Sequence, residues 1–256
     1  MTDCNSSSRG RSSGAGRKPQ RTAPGSSPVS HRTFRERVGD ARWGHFLEGF
    51  PVITRPAGWP LVHEGEEGNR VFALIGGVVG VEQSGVDRRE LEQLLVFRGG
   101  GDLIGDMAVI ERISRTATVR ARTECEVAII PGVRFMSPEF QREWGAEVSA
   151  YISGRVREVQ TLSRSGNDSA RVAHVLLPLL RDAERAGRTS GGFHLRVSQQ
   201  EVANCLGIGR DTLRRLTSLP PFGGWPKGRG GGLVITDPAA LRTVAAGLGG
   251  WHPQVG

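Results

Sequence analysis

Residues 101–116 hold one group of side chains that could bind a small anion. Gly105 lets the backbone turn, and the residues after it can form one short helical turn whose free amides attract an anion. Arg115 follows ten residues later and can hold a phosphate with its forked guanidinium group. Thr116 adds a hydroxyl, and Asp106 could accept a hydrogen bond from a sugar hydroxyl. The alternative is structural: an ion pair between Arg115 and Asp106 that ties two strands together.

Residues 197–216 hold a second group, which has the spacing of two helices joined by a tight turn. Ser198 and Glu201 form a capping-box pattern, so a helix is expected to begin here and to end near Leu206. Gly207 lies where the chain must turn, and a second helix is expected to begin near Arg210. Such a pair needs a small residue where the helices meet, a glycine in the turn and apolar residues behind. Four residues meet these needs: Ala203, Gly207, Leu213 and Leu216.

The outer face of the second helix is expected to be charged. It would carry four residues: Arg210, Asp211, Arg214 and Arg215. Arginine can donate two hydrogen bonds to guanine in the major groove of DNA, and aspartate can accept from cytosine. The pattern therefore predicts a helix-turn-helix DNA-binding unit, with Ser198 and Gln199 also among its DNA-binding candidates. The alternative is an ordinary helical hairpin with a solvated charged face.

Residues 225–236 have the pattern of a β-hairpin that follows the second helix. The glycine-rich stretch 225–232 would form its turn, and the apolar residues 233–236 would form its second strand. Lys227 and Arg229 would lie at the tip and contact DNA phosphates. The alternative is a glycine loop without regular structure.

From residue 34 to residue 135, short apolar runs alternate with glycine turns at a spacing typical of an all-β sandwich or roll. Gly76-Gly77 and Ser84-Gly85 are turn signals between strands. Strands are expected in seven apolar runs: residues 51–54, 61–62, 71–75, 78–81, 94–97, 118–121 and 127–130.

Two helical regions follow the β region. Residues 138–162 carry one apolar stripe at helical spacing, which must be buried on its own domain or on a twin helix. The stripe consists of Phe140, Trp144, Val148, Ile152, Val156 and Val159. After a polar break at residues 163–169, a second helix is expected, which Pro178 should kink or end.

The 256 residues carry a net charge of +8 that is unevenly spread. The net charge is +5 in residues 1–32, −2 in residues 33–165 and +5 in residues 166–256. A near-neutral middle and a basic C-terminal third favour one part that senses and another that contacts a polyanion. Residues 1–31 are too polar to bury a core, so a disordered basic tail is expected there.

Several classes of protein are not supported by the sequence. No apolar run is long enough to span a bilayer and no signal peptide is recognisable, so a cytoplasmic protein is expected, with no membrane partner. The three cysteines form no CxxC pair and the six histidines are scattered, so no metal site is expected. The motifs GxxxxGK[ST], HExxH and GxSxG are absent, and no catalytic residue is predicted.

The order of these features resembles the cyclic AMP receptor protein/fumarate–nitrate regulator (Crp/Fnr) family of bacterial transcription factors, over about residues 34–247. The likeness is strongest in residues 105–121 and 197–216. It implies an α+β fold with a cyclic nucleotide-binding-like β-roll (33–137), a long dimerisation helix (138–164) and a winged helix-turn-helix domain (165–248). A basic tail (1–32) and a short C-terminal tail (249–256) would flank them. The partners implied are a second copy of the chain and double-stranded DNA, with RNA polymerase as an additional candidate.

The resemblance also implies roles for individual residues. Arg115 and Thr116 would hold the phosphate of a cyclic nucleotide, and backbone amides would come from the Gly105 region, which includes Met107. Asp106 stands where the family usually has a glutamate for the ribose hydroxyl, and its carboxylate is one methylene further back. In the DNA-binding unit, the family's base-reading positions fall on Arg210, Asp211 and Arg215, of which Asp211 replaces a glutamate. A half-site related to TGTGA is implied.

The effector stays open at this point. Val159, Gln160 and Thr161 do not match the Thr and Ser that the long helix supplies to the purine in cyclic AMP-responsive members. The sequence is compatible with cyclic AMP or cyclic GMP, with another effector, and with a pocket that binds nothing. Its function is read as a sequence-specific transcription regulator. The alternative is a cyclic nucleotide-sensing signalling or scaffold module that acts on a protein partner, which the basic C-terminal third disfavours.

Overall fold

The computed structural model describes residues 32–84, 93–187, 191–226 and 232–249, and every structural statement below concerns those residues. The expected N-terminal tail and the last residues of the C-terminal tail lie outside them. Within the described ranges, helices and antiparallel sheets are combined in one chain, so the predicted α+β class is confirmed. None of the described helices is both long enough and apolar enough to cross a membrane.

Two short helices open the fold, and the sequence analysis did not predict them. They are α1 (Phe34–Val38) and α2 (Asp40–Leu47). The Thr33 hydroxyl accepts a hydrogen bond from the Glu36 amide at 3.1 Å, and the Glu36 carboxylate accepts one from the Thr33 amide at 2.9 Å. This is a capping box, and the spacing of Thr33 and Glu36 is the signal that could have predicted α1.

Eight strands form the β-roll as two antiparallel sheets, with the orders β1-β8-β3-β6 and β2-β7-β4-β5. The strands are β1 (Val52–Arg55), β2 (Pro60–Val62), β3 (Arg70–Gly76), β4 (Val78–Gln83), β5 (Gln93–Gly99), β6 (Leu103–Ile104), β7 (Thr118–Ala121) and β8 (Cys125–Pro131). Each of the seven expected runs lies in a strand, and β6 was not expected. Leu74 and Val79, from opposite sheets, belong to one buried cluster. The chain passes between the sheets at Gly77, where φ is +83° and a Cβ would meet the Glu124 carbonyl.

Two short helices interrupt the β-roll. Helix α3 (Asp106–Glu111) follows β6, and α4 (Gly132–Phe135) follows β8. The long helix α5 (Pro138–Arg164) comes next and spans about 40 Å at roughly 1.5 Å per residue. Ser137 caps α5 by accepting a hydrogen bond from the Phe140 amide at 3.3 Å, and Pro138 occupies its first turn.

The apolar stripe of α5 divides into two halves with different surroundings. Trp144 and Val148 are buried in a cluster with residues of α1 and α2, whereas the side chains of Val156 and Val159 are about half exposed. The expectation that a twin helix covers the whole stripe from Trp144 onward is therefore wrong for its first half. The same chain already covers that half with two helices that were not expected.

Phe34 lies at the centre of the contact between α1, α2 and α5. Its side chain is fully buried, and its ring centroid is 4.8 Å from that of Phe46, 5.8 Å from that of Tyr151 and 6.2 Å from that of Trp43. Edge-to-face aromatic contacts, such as those with Tyr151 and Trp43, add to the free energy of burial.

The C-terminal part consists of α6 (Asp168–Ala186), β9 (Phe193–Leu195), α7 (Gln199–Leu206), α8 (Arg210–Leu216), β10 (Leu233–Ile235), α9 (Pro238–Ala246) and a 3-10 turn (Gly247–Gly249). Helix α6 continues through Pro178, so the expectation that this proline ends the helix is wrong. Leu176, Leu179 and Leu180 are buried in one cluster, and this packing outweighs the one helical hydrogen bond that proline removes.

The expected hairpin after α8 is formed at its base. The Gly223 amide donates to the Val234 carbonyl at 2.7 Å, and the Val234 amide donates to the Gly224 carbonyl at 3.1 Å. Strand β10 also pairs with β9. Lys227 and Arg229, the expected phosphate contacts at the tip, lie outside the described residues.

We expect Phe34→Ala to lower the free energy of unfolding by about 3–5 kcal/mol, because it removes a ring that several aromatic side chains enclose. The measurement is urea unfolding of the full chain followed by tryptophan fluorescence, since Trp43 and Trp144 lie beside Phe34. Val133→Ala is the control, because Val133 is 86% exposed and its loss should change stability by less than about 0.5 kcal/mol. Equal effects of the two substitutions would show that Phe34 does not hold α1 and α2 to α5.

Candidate nucleic-acid interface and effector cavity

Helices α7 and α8 form the predicted helix pair. The Ser198 hydroxyl accepts from the Glu201 amide at 3.1 Å, and the Glu201 carboxylate accepts from the Ser198 amide at 2.7 Å. Gly207 ends α7 in the left-handed conformation, with φ of +65°. Ala203 and Leu213 are buried between the helices and the core behind them.

The outer face of α8 is open and mostly basic. All four charged residues expected there are exposed: Arg210, Asp211, Arg214 and Arg215. Nη1 of Arg214 lies 3.5 Å from Oδ1 of Asp211, which is a weak contact on the surface. The face therefore carries a net positive charge that faces solvent.

A surface depression of about 700 Å³ brings several of the expected DNA-binding residues together. Ser198 and Gln199 from the start of α7 line it with Arg210 and Arg214 of α8. Trp225 completes one side, and its Nε1 donates to the Thr217 hydroxyl at 2.8 Å. Asp211 and Arg215 are exposed outside this depression. The arrangement places the start of α7 and the basic face of α8 on the same surface.

A cavity of about 510 Å³ lies between the β-roll and the second half of α5. Its walls come from β5, the turn from β6 into α3, the residues before β7, and α5. Four of the expected effector residues are part of the turn and its return strand: Gly105, Asp106, Met107 and Thr116, with Arg115 beside them. Its volume is within the usual range for small-ligand sites, about 300–1,000 Å³.

Arg115 is buried and donates to two backbone carbonyl groups. Its Nη1 bonds to the Gly105 oxygen at 2.7 Å, and its Nη2 bonds to the Arg70 oxygen at 2.6 Å. Burial, followed by the nearby Arg70 charge, lowers the pKa of Arg115 from its usual value. Gly105 has a φ of +77°, and a Cβ there would clash with Nη1 of Arg115, so this position requires glycine. The alternative of an ion pair between Arg115 and Asp106 is wrong, because Arg115 is held by carbonyls.

Asp106 is buried and pairs with Arg155 of α5. Nη1 of Arg155 lies 2.9 Å and 3.1 Å from the two carboxylate oxygens. Burial would lower the pKa of Arg155, but the Asp106 charge outweighs burial and the pKa lies above its usual range. The carboxylate expected to meet a sugar hydroxyl is thus already engaged by an arginine in this structure. The sequence analysis missed Arg155, although a cation three residues after Ile152 and four before Val159 falls on the apolar face of the helix.

Tyr151 fixes the same stretch of α5 against the turn. Its hydroxyl donates to Oδ1 of Asp102 at 3.0 Å and accepts from the Leu103 amide at 3.1 Å. Burial and the Asp102 charge raise the pKa of Tyr151 above its usual value, so the hydroxyl keeps its proton. Helix α5 is therefore tied to the turn on both sides of Gly105.

The end of α5 contributes little hydrogen-bonding capacity to the cavity. Val159 and Gln160 line it, whereas the Thr161 hydroxyl donates to the carbonyl of Arg157 at 2.8 Å, within its own helix. Arg98 of β5 also lines the cavity and is 4% exposed. The sequence analysis missed Arg98, a charged residue at the end of the buried run 94–97.

Other reactive groups are few in the described part of the chain. No group of three or more His, Cys, Asp or Glu side chains could hold a metal ion there. Burial raises the pKa of the Cys125 thiol and of the Cys205 thiol to about 12, so both keep their protons at neutral pH.

Two protein-family models match the chain. A cyclic nucleotide-binding domain matches residues 53–137, and a Crp-like helix-turn-helix domain matches residues 170–244. The chain is 26% identical over 180 residues to the cAMP-activated global transcriptional regulator CRP of Escherichia coli O157:H7, covering 68% of this chain and 84% of that one. It is 27% identical over 200 residues to the CRP-like cAMP-activated global transcriptional regulator of Mycobacterium tuberculosis, covering 74% and 85%.

Solved structures agree on the fold. A CRP/FNR-family transcriptional regulator from Thermus thermophilus matches with a TM-score of 0.58 at 20% identity, covering 76% of this chain and 98% of that one. The global regulator CLP of Xanthomonas campestris matches with a TM-score of 0.53 at 24% identity, covering 77% and 100%. Together, the fold and the comparisons define a transcription regulator that combines a cyclic nucleotide-binding domain with a DNA-binding helix-turn-helix domain. The chain belongs to the Crp/Fnr family.

We expect Arg210→Ala to weaken binding to a preferred duplex by about 1–3 kcal/mol per half-site, because Arg210 begins α8, where side chains reach base edges. The duplex is first selected by the wild-type protein from a random pool, and affinities for it and for a scrambled duplex are measured at several salt concentrations. Lys227→Ala and Arg229→Ala should instead weaken both duplexes alike and lower the salt slope by roughly one per phosphate contact.

Arg142→Ala is the matched control for charge, since Arg142 is exposed on the first half of α5. If Arg210→Ala lowers the affinity for both duplexes equally, Arg210 contacts phosphate and the assignment of the base-reading face is wrong.

Proposed function

We propose that the chain acts as a homodimer that binds a specific DNA sequence through α8, and that a small anion in the cavity changes its affinity for DNA. The observation that supports this most is that one chain carries both an exposed basic helix and a separate cavity with a buried arginine. The proposed activity is binding without catalysis, in the cytoplasm. RNA polymerase is the proposed partner of the DNA-bound dimer, since a transcription regulator changes the output of that enzyme.

The division into parts is also proposed. Residues 33–137 form the effector domain, residues 138–164 form the dimerisation helix, and residues 165–248 form the DNA-binding domain. Ser198, Gln199 and the charged residues of α8 are the proposed DNA contacts, together with Lys227 and Arg229.

The charges around the cavity favour an anion. Among the described residues, three arginines line it, namely Arg98, Arg115 and Arg155, against the single carboxylate of Asp106. The remaining wall is mainly apolar, with Leu95, Ile104 and Val156 among its residues, which suits a flat ring. A cyclic nucleotide combines an anionic phosphate with such a ring, so cyclic AMP and cyclic GMP are the first candidates. Two relatives are described as cAMP-activated, which supports the same choice.

The effector proposal is tested by isothermal titration with cyclic AMP and with cyclic GMP. We expect Arg115→Ala to weaken binding by about 1.5–3 kcal/mol, because it removes a charge-assisted hydrogen bond to the phosphate. Thr116→Ala should cost about 0.5–1.5 kcal/mol, since a neutral hydroxyl is lost. Arg142→Ala, which removes an exposed charge far from the cavity, should leave binding unchanged.

If the wild-type protein releases heat with neither nucleotide and its affinity for DNA does not change with either, the cavity does not serve a cyclic nucleotide. The DNA-binding proposal would be unaffected by that result. Absence of binding to any duplex would instead favour a signalling module that acts on a protein partner.

The dimer proposal rests on the second half of α5. Val156 and Val159 are 47% and 53% exposed on one face of the helix, although the first half of the same stripe is covered. A second copy of the helix, packed in parallel, would bury both valines and close the open side of the cavity.

We expect light scattering to give about 55 kDa for the wild-type protein, twice the 27.6 kDa of one chain. The double substitution Val156→Asp, Val159→Asp should lower this to one chain, because facing carboxylates would repel each other across the helix pair. Ala146→Asp, at an exposed position on the first half of α5, is the control and should remain dimeric. A wild-type mass of one chain at micromolar concentration would refute the dimer and the expectation of a palindromic site.

A further inference from the structure

Strand β5 lies between the cavity and the DNA-binding domain. Val96 and Arg98 line the cavity. Leu94 and Phe97 of the same strand belong to a hydrophobic cluster that includes Leu176 of α6 and Leu206 of α7. A ligand that moves the cavity side of β5 therefore acts on a strand that the DNA-binding domain also contacts.

Three buried side chains join β5, α5 and α6 in one line of hydrogen bonds. Nη1 of Arg98 donates to Oε2 of Glu158 at 2.8 Å, and Nε2 of His174 lies 2.8 Å from Oε1 of the same carboxylate. Each of the three side chains is 4% exposed. An ionised carboxylate only accepts hydrogen bonds, so Nε2 of His174 carries the proton in this contact.

The three groups depend on one another because they are buried. Glu158 places one oxygen on Arg98 and the other on His174, and its negative charge balances the guanidinium. Removing one partner of a buried ion pair leaves an uncompensated charge, which is far more costly than losing a surface pair. Nδ1 of His174 is buried and has no partner within the described part of the chain, so Glu158 supplies the hydrogen bond that holds this ring. A shift of Arg98 is therefore felt by His174.

Helix α6 can pass such a shift to the helix pair. Nη2 of Arg171, one turn before His174, donates to the Leu206 carbonyl at the end of α7 at 2.6 Å. On the other side of His174, Pro178 packs against Gly99 of β5, where a Cβ would lie 3.3 Å from the proline ring. The position of α6 against β5 thus sets the position of α7.

Helix α7 itself touches the β-roll at two further points. The Cys205 thiol donates to the Leu95 carbonyl at 3.2 Å, and the guanidinium of Arg122 bridges Glu82 of β4 and Glu201 of α7. Glu201 therefore both caps α7 and ties it to the β-roll. These contacts keep the DNA-binding domain against the β-roll in the structure described here.

We propose that Arg98, Glu158 and His174 are positioning residues that connect the cavity to the DNA-binding domain. The proposal rests on the proposed function, in which an anion enters the cavity. The anion competes with Glu158 for the guanidinium of Arg98, Glu158 loses the charge that holds it, and His174 with α6 is released from β5. The contacts described above define the closed arrangement, and an anion at Arg98 frees α6 and α7 to adopt another position relative to the β-roll.

The first test needs no ligand. Hydrogen exchange is followed by mass spectrometry on the full-length wild-type protein and on Glu158→Gln, which keeps the shape of the side chain and removes its charge. We expect amides of α6 and α7 to exchange on the order of tenfold faster in the variant, because the closed contact opens more often. Glu143→Gln is the matched control, since Glu143 lies on the same helix and also bonds a histidine, His45, but on the exposed surface.

A second pair of variants separates the hydrogen bond from mere packing. His174→Gln can still donate to Glu158 and should keep the protection of α6, whereas His174→Leu cannot and should lose it. If Glu158→Gln exchanges like Glu143→Gln, or if His174→Gln and His174→Leu behave alike, the proposed connection is wrong.

The third measurement is the ratio of DNA affinities with and without saturating cyclic AMP, taken by fluorescence anisotropy on the selected duplex. We expect a ratio of about 5–150 in the wild-type protein and less than about twofold in Glu158→Gln, with cyclic AMP still bound by both. A variant that responds like the wild type would overturn the connection. If the wild-type protein does not bind cyclic AMP, the effector proposal fails, and the exchange experiment alone decides about the connection.

Discussion

A buried guanidinium group needs hydrogen-bond acceptors, and this need shapes the cavity and its surroundings. An unpaired charge away from water is so costly that each buried arginine must bring its partners with it. Arg115 takes two backbone carbonyls, Arg155 takes the carboxylate of Asp106, and Arg98 takes that of Glu158. The acceptors come from the start of β3, from the turn before α3, from α3 and from α5. Satisfying these cations therefore fixes the turn, the long helix and strand β5 relative to one another.

The same constraint explains why α5 has two different halves. Its first half is held by aromatic packing against α1 and α2, with Phe34 at the centre. Its second half is held by polar contacts, from Tyr151 to Asp102 and from Arg155 to Asp106, while Val156 and Val159 remain open. The covered half anchors the helix on its own domain. The open half is where a ligand and a second copy of the chain can both act on it.

Local signals predicted most of the fold, and long-range pairings escaped prediction. The capping box at Ser198, the turn glycine at 207 and the stripe of α5 each depend on residues within a few turns of the same helix, so their spacing can be read directly. Arg155 and Asp106 are 49 residues apart, and Arg98 and Glu158 are 60 apart. Nothing in the spacing of such residues shows that they meet. The one available signal is a charge in an apolar context, which marks a buried ion without naming its partner.

The two ends of the cavity differ in what a ligand would have to displace. At the Arg115 end, two of the five guanidinium N–H groups bond to backbone carbonyls, which keeps the group in place without neutralising its charge. An anion can add to such a site without breaking an ion pair. At the Asp106 end, the carboxylate is paired with Arg155, so a hydroxyl group that binds there must share or replace that contact. A ligand thus gains most of its binding energy at Arg115, and any contact with Asp106 necessarily disturbs Arg155 and, through it, the open half of α5.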